Sequence, residues 1–461
     1  MKIALVLAPN LFKRGPLIGL AYLDAYLKAH DFEVEIFDLN TEIQVPHEGD
    51  ETLWGQKEFV DDLMSANQGA WDLLARKVLR SGAEVIGFSA WASTSFASLG
   101  LARIMKREDP KRLVVFGGPQ CSFFPDELLS DGSVDALVFG EGEATLLELA
   151  RQYRAQGRVE SCPGAATRHD GAATPATFRP EIPDLDALPF PDFSGFPLKK
   201  YYFPNHLPIT FYRGCARRCV FCNSASIWKK FRSRSARNIF REMLHQKSLY
   251  PNLEKFEVDD TALNLDLNVI SELCDLMSAH DFKIRWGGAA IIHPDLGPEL
   301  LRKMGRAGCN SLAYGLESGS QVVIDGMRKG FRIDAAERNV RDTHDAGIGV
   351  DLNIVIGFPG ETEREFQETC AFIQRNREFI SFVSFPSECW VGNDTYLHTH
   401  PEDFGIVLGE SGHMWRSQDG TNTHEVRQDR IRRFNGMVSS LGLSQHNYAT
   451  EAAKRQGAAR L

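Results

Sequence analysis

Tyr212-Arg213-Gly214-Cys215-Ala216-Arg217-Arg218-Cys219-Val220-Phe221-Cys222 follows an apolar run, Leu207 to Tyr212. The run reads as a strand ending in a tight loop that carries three thiols spaced Cys-x3-Cys-x2-Cys. Three thiolates on so short a loop suit a cubane iron–sulfur cluster with one iron left open, whereas a structural zinc or a fully ligated cluster takes four protein ligands. No neighbour completes a set of four, since Cys162 lies far upstream and Cys274 far downstream. Arg213, Arg217 and Arg218 crowd the thiols, and positive charge favours the thiolate that binds metal. The alternative is three unremarkable cysteines in a turn, which their close grouping argues against.

Composition bounds the rest. The 461 residues leave room for several domains, and 43% hydrophobic with 25% charged residues is ordinary for a soluble globular protein. A net charge of −9 argues against a nucleic-acid partner, which needs a clustered basic face. Lys229, Lys230, Arg232 and Arg234 could hold a small anion, although such a run is more often a solvated face. The apolar start, Met1 to Leu7, is too short for a signal peptide. No stretch approaches the ~20 apolar residues that cross a bilayer, so no membrane span is expected. Nine cysteines without framework spacing fit a reducing compartment, and the expected location is the cytoplasm.

Upstream of the cysteine loop, strand patterns at 3–8, 33–38, 84–89, 112–118 and 136–140 alternate with helical patterns near 17–29, 95–107, 125–129 and 143–153. Residues 1–155 therefore read as a Rossmann-like, doubly wound α/β domain with ligand-binding potential at the strands' carboxyl ends. A domain that binds nothing is the alternative. Prolines 163, 175, 180, 183, 189, 191, 197 and 204 mark 156–206 as a linker, and Leu185, Leu188, Phe190, Phe193 and Phe196 give it enough apolar weight to pack on the domains. From 207 to 400, strands at 207–212, 255–258, 283–286, 311–314, 350–356 and 379–385 alternate with helices near 266–281, 297–307, 334–346 and 363–376. This predicts a partial (β/α)6 barrel of the TIM type, with its chemistry at the strands' carboxyl ends. Residues 401–461 form a short, mainly helical capping region with a charged helix near 423–438.

The Cys-x3-Cys-x2-Cys loop behind a first barrel strand resembles the radical S-adenosylmethionine (SAM) enzymes, and the resemblance extends over about residues 1–400. It implies a [4Fe–4S] cluster on Cys215, Cys219 and Cys222, whose open iron takes the amino and carboxylate groups of SAM. An electron from the cluster then cleaves the sulfonium to give a 5′-deoxyadenosyl radical. By the same resemblance Asp259, Asp260 and Thr261 meet the ammonium group of SAM. Glu317 and Ser318 meet its ribose or methionine moiety, and the turn Gly357-Phe358-Pro359-Gly360 meets its adenine. Each block alone is weak, since such a stretch more often caps a helix or makes a turn. Pro16 to Leu23, Gly87-Phe88-Ser89, Gly117-Gly118-Pro119 and Gly140-Glu141-Gly142-Glu143 resemble the cobalamin-binding domain that precedes many radical SAM cores. Gly19, Ser89, Gly117, Gly118, Gly140 and Glu141 are the implied cobalamin contacts.

Two departures stand out. Asp-x-His-x-x-Gly is absent, which implies cobalamin without a histidine lower ligand. Gly287-Gly288-Ala289-Ala290-Ile291 follows the third strand where many relatives carry an arginine, leaving room for corrin or substrate. Cys389, after the sixth strand, is a candidate hydrogen-atom donor or substrate ligand, against the reading of a buried, small apolar cysteine. His398, His400 and His413 show no ligand spacing.

Carried to function, the resemblance implies a cobalamin-dependent methylase acting on an unactivated carbon of a small metabolite, with methylcobalamin delivering the methyl group. Its partners would be a small-molecule substrate and an external electron donor such as flavodoxin or ferredoxin. The alternatives are non-methylating radical chemistry (cyclisation, rearrangement or aminocarboxypropyl transfer) and a non-catalytic cluster- or cobalamin-binding sensor.

Overall fold

The computed structural model describes residues 1–10, 13, 15–42, 51–168 and 177–445. Part of the expected loop after the first strand, Pro175 and the end of the capping region lie outside the described residues. The chain divides into two compact units, Met1–Pro204 and Asn205–Leu461.

The first unit runs β1 (Lys2–Leu7), α1 (Ile18–Lys28), β2 (Glu33–Asp38), α2 (Lys57–Ala66), α3 (Gln68–Arg80), β3 (Val85–Ser89), α4 (Ser95–Glu108), β4 (Leu113–Gly117), α5 (Pro119–Phe123), α6 (Pro125–Ser130), β5 (Ala136–Val138), α7 (Gly142–Gln156) and β6 (Ala165–Thr167). The strands order as β2-β1-β3-β4-β5-β6, parallel except for β6, which pairs antiparallel with β5. Ile3 to Ala8 are all buried, as continuous apolar runs are in parallel sheets covered on both faces. The chain leaves β1 toward β2 and returns to the other side at β3, so the crevice at the carboxyl ends of β1 and β3 is the topological switch point.

Two features of this unit differ from expectation. Helices α2 and α3 fill the stretch before β3, held by buried Val60, Trp71, Leu74 and Val78. The proline-punctuated segment expected as a linker belongs to the first unit. It supplies β6 to the sheet edge, buries Phe193 and Phe196, and donates the Asp192 N–H to the Ala21 carbonyl on α1.

The second unit runs β7 (His206–Ile209), β8 (Tyr212–Arg213), α8 (Ser224–Ile227), β9 (Arg232–Ser233), α9 (Ala236–Leu249), β10 (Lys255–Val258), α10 (Leu267–Ala279), β11 (Arg285–Ala290), α11 (Pro298–Arg306), β12 (Cys309–Glu317), α12 (Gln321–Gly326), α13 (Ile333–Asp345), β13 (Gly349–Ile356), α14 (Glu363–Asn376), β14 (Phe382–Val383), β15 (Ser387–Glu388), α15 (Tyr396–Thr399), β16 (Ile406–Val407), β17 (Arg416–Ser417) and α16 (His424–Ser440). Its main sheet, β7-β10-β11-β12-β13-β14, is parallel and follows chain order throughout, giving a half-barrel. On β12, Leu312, Tyr314 and Leu316 are buried while the alternate Ser311, Ala313, Gly315 and Glu317 are only half-buried, which marks them as the lumen face.

Three strands depart from their expected bounds. The run 207–212 breaks: β7 ends at Ile209, and Tyr212–Arg213 pairs antiparallel with β9. The sixth strand shrinks to β14, and β15 adds separately to β13. The third strand starts later than expected, so Gly287 and Gly288 lie inside β11 rather than after it. A Cβ on Gly287 would stand 2.5 Å from the Ser311 carbonyl oxygen, and one on Gly288 2.6 Å from that of Val258. These glycines let neighbouring strands approach, which corrects the reading that they clear space for corrin or substrate. Among the described residues no helix is long and apolar enough to cross a membrane.

Candidate functional site

The cysteine loop is held at both ends. At its entry the Asp260 carboxylate accepts the N–H groups of Phe211 (2.8 Å) and Tyr212 (3.2 Å). From the other side Arg234 donates to the Thr210 carbonyl at 2.7 Å and ion-pairs with the fully buried Glu242 at 2.6 Å. Gly214 then turns the chain with φ +84°, where any side chain would run into the Lys230 carbonyl. At the exit the Val220 N–H donates to the Met327 carbonyl (3.2 Å), and the Leu397 N–H donates to the Val220 carbonyl (3.1 Å). Both the turn after α12 and the helix α15 therefore grip the loop.

Between these anchors Cys215 and Cys219 are half-buried and Cys222 is exposed. The N–H groups of Arg217 and Ser224 point at the sulfurs of Cys215 and Cys222, each at 3.4 Å. Burial pushes the Cys219 thiol up, and Lys329 is the cation that opposes it. Of the arginines expected to crowd the thiols, Arg217 donates to the Gly330 carbonyl, while Arg218 donates to the carbonyls of Cys215, Arg217 and Lys229. Among the described residues no three His, Cys, Asp or Glu side chains converge at the spacing of a single metal ion. Three thiols of one loop, with amide N–H groups aimed at two of them, fit a cubane cluster held by three protein ligands.

Beside the loop, at the mouth of the half-barrel, Glu317 ends β12 in a left-handed conformation, φ +66°, just past a β-bulge. Its carboxylate pairs with Lys329 at 3.0 Å, and both side chains are largely buried. Gly315 makes the room: a Cβ there would stand 2.7 Å from Glu317 Oε1. Lys329 also lies 5.7 Å from the centre of the Phe221 ring, inside the cysteine loop. Lys329 was not anticipated, because it sits on the turn Met327-Arg328-Lys329-Gly330 rather than at a strand end.

The expected SAM contacts separate into presented and engaged groups. Asp259 is solvent-exposed at the end of β10, yet enough protein surrounds it that burial, with Glu257, raises its carboxyl. Asp260 is turned to the loop backbone, and the Thr261 hydroxyl donates to the Gly214 carbonyl at 3.1 Å, so both brace the loop. Ser318 is fully buried, bonded to the Thr369 hydroxyl (2.9 Å) and to the Ser320 N–H (3.1 Å); it is engaged within the protein. In the glycine–proline turn Gly360 is exposed whereas Gly357 and Pro359 are buried. Gly357 is packed under Arg427, its N–H is taken by Glu361 (2.9 Å), and its carbonyl is taken by Asn422 (3.2 Å).

Cys389 is enclosed, 1% exposed, with its N–H on the Ile356 carbonyl and its carbonyl holding the Trp415 indole N–H, each at 2.8 Å. Burial raises its thiol strongly. The structure thus corrects the reactive reading: Cys389 is a buried packing residue.

In the first unit, Ser89, Gly117, Gly118 and Gly140 lie at or just beyond the carboxyl ends of β3, β4 and β5. Gly118 adopts φ +103°, and a Cβ there would stand 2.7 Å from the Ala90 carbonyl oxygen. Gly19 and Gly140 face open space. Along this ledge the open backbone at Gly19 and Gly140 suits a bulky ligand, whereas Gly118 is required by the close approach of Ala90. Glu141 departs from this set, since its carboxylate accepts the Ile182 N–H at 2.5 Å and ties down the following segment. The ledge also carries an unanticipated indole: Trp91 is 45% exposed and donates to the Ser89 hydroxyl at 3.2 Å. An exposed tryptophan behind Gly-Phe-Ser-Ala was the available signal.

Residues 5–150 match the family model of the B12 binding domain, and residues 209–373 match that of the radical SAM superfamily. The first implies cobalamin and the second a [4Fe–4S] cluster with SAM. An uncharacterized methyltransferase of Pyrococcus horikoshii is 25% identical over 81% of this chain and 78% of its own. Cytidylyl-2-hydroxyethylphosphonate methyltransferase of Streptomyces wedmorensis is 25% identical over 82% and 76%. An anaerobic magnesium-protoporphyrin IX monomethyl ester cyclase of Rubrivivax gelatinosus is 26% identical over 77% and 61%. In fold the chain is similar to the radical SAM methyltransferase TsrM from Kitasatospora setae, solved with tryptophan substrate and a SAM analogue (TM-score 0.69, 17% identity, 93% of this chain and 83% of that one). It is also similar to the cobalamin-dependent radical SAM enzyme OxsB, solved with aqua-cobalamin and SAM (TM-score 0.66, 16% identity, 87% of this chain), of which it spans 55%.

Proposed function

We propose that this chain, which belongs to the radical SAM enzymes carrying an N-terminal B12 binding domain, methylates an unactivated carbon of a small metabolite. The observation that carries the reading is the three-thiol loop set beside the Glu317–Lys329 pair at the mouth of the half-barrel, in a chain whose relatives include methyltransferases. When bound, the cluster, SAM and cobalamin supply one-electron reduction, radical generation and a transferable methyl group.

The protein's own residues position these groups. Cys215, Cys219 and Cys222 hold the cluster, with Asp260 and Arg234 fixing the loop that carries them. Asp259 receives the ammonium group of SAM, while Lys329, oriented by Glu317, receives its carboxylate. The exposed face of the turn at Gly360 meets the adenine. Gly19, Ser89, Gly117, Gly118 and Gly140 form the cobalamin ledge, with Trp91 beside them. Ala289 and Ala313, small and half-buried on adjacent strands, leave lumen space for a substrate held in near-attack geometry away from water. Electrons come from a flavodoxin- or ferredoxin-like donor approaching the exposed Cys222 side, in the cytoplasm.

The test is the nucleoside profile of the anaerobically reconstituted protein, reduced in the presence of SAM with and without cobalamin. The expected result is 5′-deoxyadenosine, with S-adenosylhomocysteine appearing only when cobalamin is present. 5′-Deoxyadenosine alone would replace methylation by a cyclisation or rearrangement, and methylthioadenosine by aminocarboxypropyl transfer.

A further inference from the structure

The glycine–proline turn after β13 is fastened from the capping region by Asn422 at its carbonyls and by Arg430 at Glu361. Asn422, 2% exposed, directs its amide N–H2 at the carbonyls of Gly357 and Phe358, each at 3.2 Å. Its orientation is fixed in turn, because the Asn422 side-chain oxygen accepts from Arg427 at 3.2 Å. Arg427 is completely buried and has all five of its N–H donors engaged. They reach the Glu388 carboxylate (2.6 Å), the carbonyl and side-chain oxygen of Asn422 (3.5 and 3.2 Å), and the carbonyls of His413 (2.7 Å) and Trp415 (2.9 Å). The guanidinium also lies 4.0 Å over the Trp415 ring, and its stem fills the space that a side chain at Gly357 would need.

Phe358 is buried against Phe404, and Arg430 donates to the Glu361 carbonyl at 3.1 Å. The Gly357 N–H goes to Glu361, the Glu361 N–H returns to the Phe358 carbonyl at 2.8 Å, and Gly360 faces solvent. The carbonyls of Gly357 and Phe358 are therefore both held by a side chain, Asn422, more than sixty residues away in the chain.

We infer that Asn422, locked by Arg427, is a positioning residue for SAM, acting through the carbonyls of Gly357 and Phe358. The inference rests on the proposal that this turn meets the adenine of SAM. Removing the amide frees the Gly357 carbonyl and leaves the Phe358 carbonyl to Glu361 alone, which loosens the turn and weakens contacts to the nucleoside without touching the cluster. The penalty falls on SAM affinity, so KM for SAM rises while kcat at saturation is nearly unchanged.

Equilibrium dialysis of reconstituted Asn422→Ala against SAM, 5′-deoxyadenosine and methionine tests this, with iron content and Tm as controls. The expected result is about a tenfold rise in Kd for SAM and 5′-deoxyadenosine, methionine affinity within about twofold, and unchanged iron content. An unchanged Kd for SAM in an iron-replete variant overturns the inference and reduces Asn422 to a stitch for the capping region. If wild type itself binds no SAM, the underlying reading of the site falls instead. Should Asn422→Ala lose iron or solubility, Arg427→Lys takes its place and is judged by the same numbers. It keeps a cation near Glu388 but removes the fork that orients Asn422.

Discussion

The carboxyl ends of the two parallel sheets are finished in opposite ways. In the first unit the ledge is backbone: Gly19 and Gly140 leave it open, Gly118 packs on Ala90, and Trp91 is its large side chain. In the second unit the mouth is built from charged side chains that grip loops, with Asp260 and Arg234 on the cysteine loop, Glu317 against Lys329, and Arg427 and Arg430 on the turn after β13. On the proposed function, the difference follows from what each end has to hold. A large flat ligand needs room that only missing side chains give. A small zwitterion beside a cluster needs opposite charges at fixed places, and fixed places need buried braces.

The comparison can be broken most sharply at the thiols. Cys219→Ala should remove the cluster and lower SAM cleavage by more than about a hundredfold, yet leave cobalamin bound to the first unit, as absorbance and iron analysis would show. Loss of both cofactors would mean that the two ends are not independent. The reciprocal change is Gly118→Val. Its positive φ and the nearby Ala90 carbonyl make any Cβ costly, at about 1–3 kcal/mol. Cobalamin retention should fall by about tenfold or more, with iron content preserved.

Smaller effects sharpen the account of the charged mouth. Lys329→Met should raise Kd for SAM by about tenfold, since a carboxylate loses its cation and Glu317 is left without its partner. Equilibrium dialysis reads this directly, and an unchanged Kd would assign the pair to packing alone. Asp260→Ala strands two backbone N–H groups at the loop entry, a loss of about 1–3 kcal/mol. The expected outcome is a severalfold lower iron incorporation. Full incorporation would show that Arg234 and the other loop contacts suffice without it.

How much of this was legible before the structure depends on whether a feature is local. The strand–helix alternation is local, and so both sheets were visible, as was the cysteine loop. Pairing is not local. Nothing in Asp259-Asp260-Thr261 says that the middle carboxylate turns back to Phe211 and Tyr212 while the first stays exposed. Nothing near Gly357 announces Asn422 or Arg427. Lys329 escaped because turns are read for their glycines, and the cation rides on the turn. Gly287 and Gly288 misled for the same reason: a glycine pair signals close approach without saying whether a ligand or a neighbouring strand is the one approaching.

The two units should also part in their response to acid, the subtlest of these differences. Burial pushes the Asp38 carboxyl, at the end of β2 and bonded to the Tyr201 hydroxyl, up to about 6. Its folded form holds a proton more readily than its unfolded form. Its contribution to stability is therefore fully present below the ordinary carboxyl range near 3.8 and is lost as pH rises through about 6. Glu388 is the reverse: although burial opposes it, hydrogen bonds from His413, Arg427 and His424 hold its carboxyl down at about 2. Its contribution is present above about 4.5 and is lost as pH falls toward about 2. Lowering pH from 7 to 5 should then leave the capping region closed and modestly raise the Tm of the first unit, while further acidification should release α16 first. Hydrogen exchange followed by peptide at pH 5 and at pH 3 distinguishes them. Early loss of protection in residues 424–440, ahead of the β1–β2 peptides, is the expected order. The opposite order would show that Arg427 and its partners hold the capping region without needing the Glu388 charge.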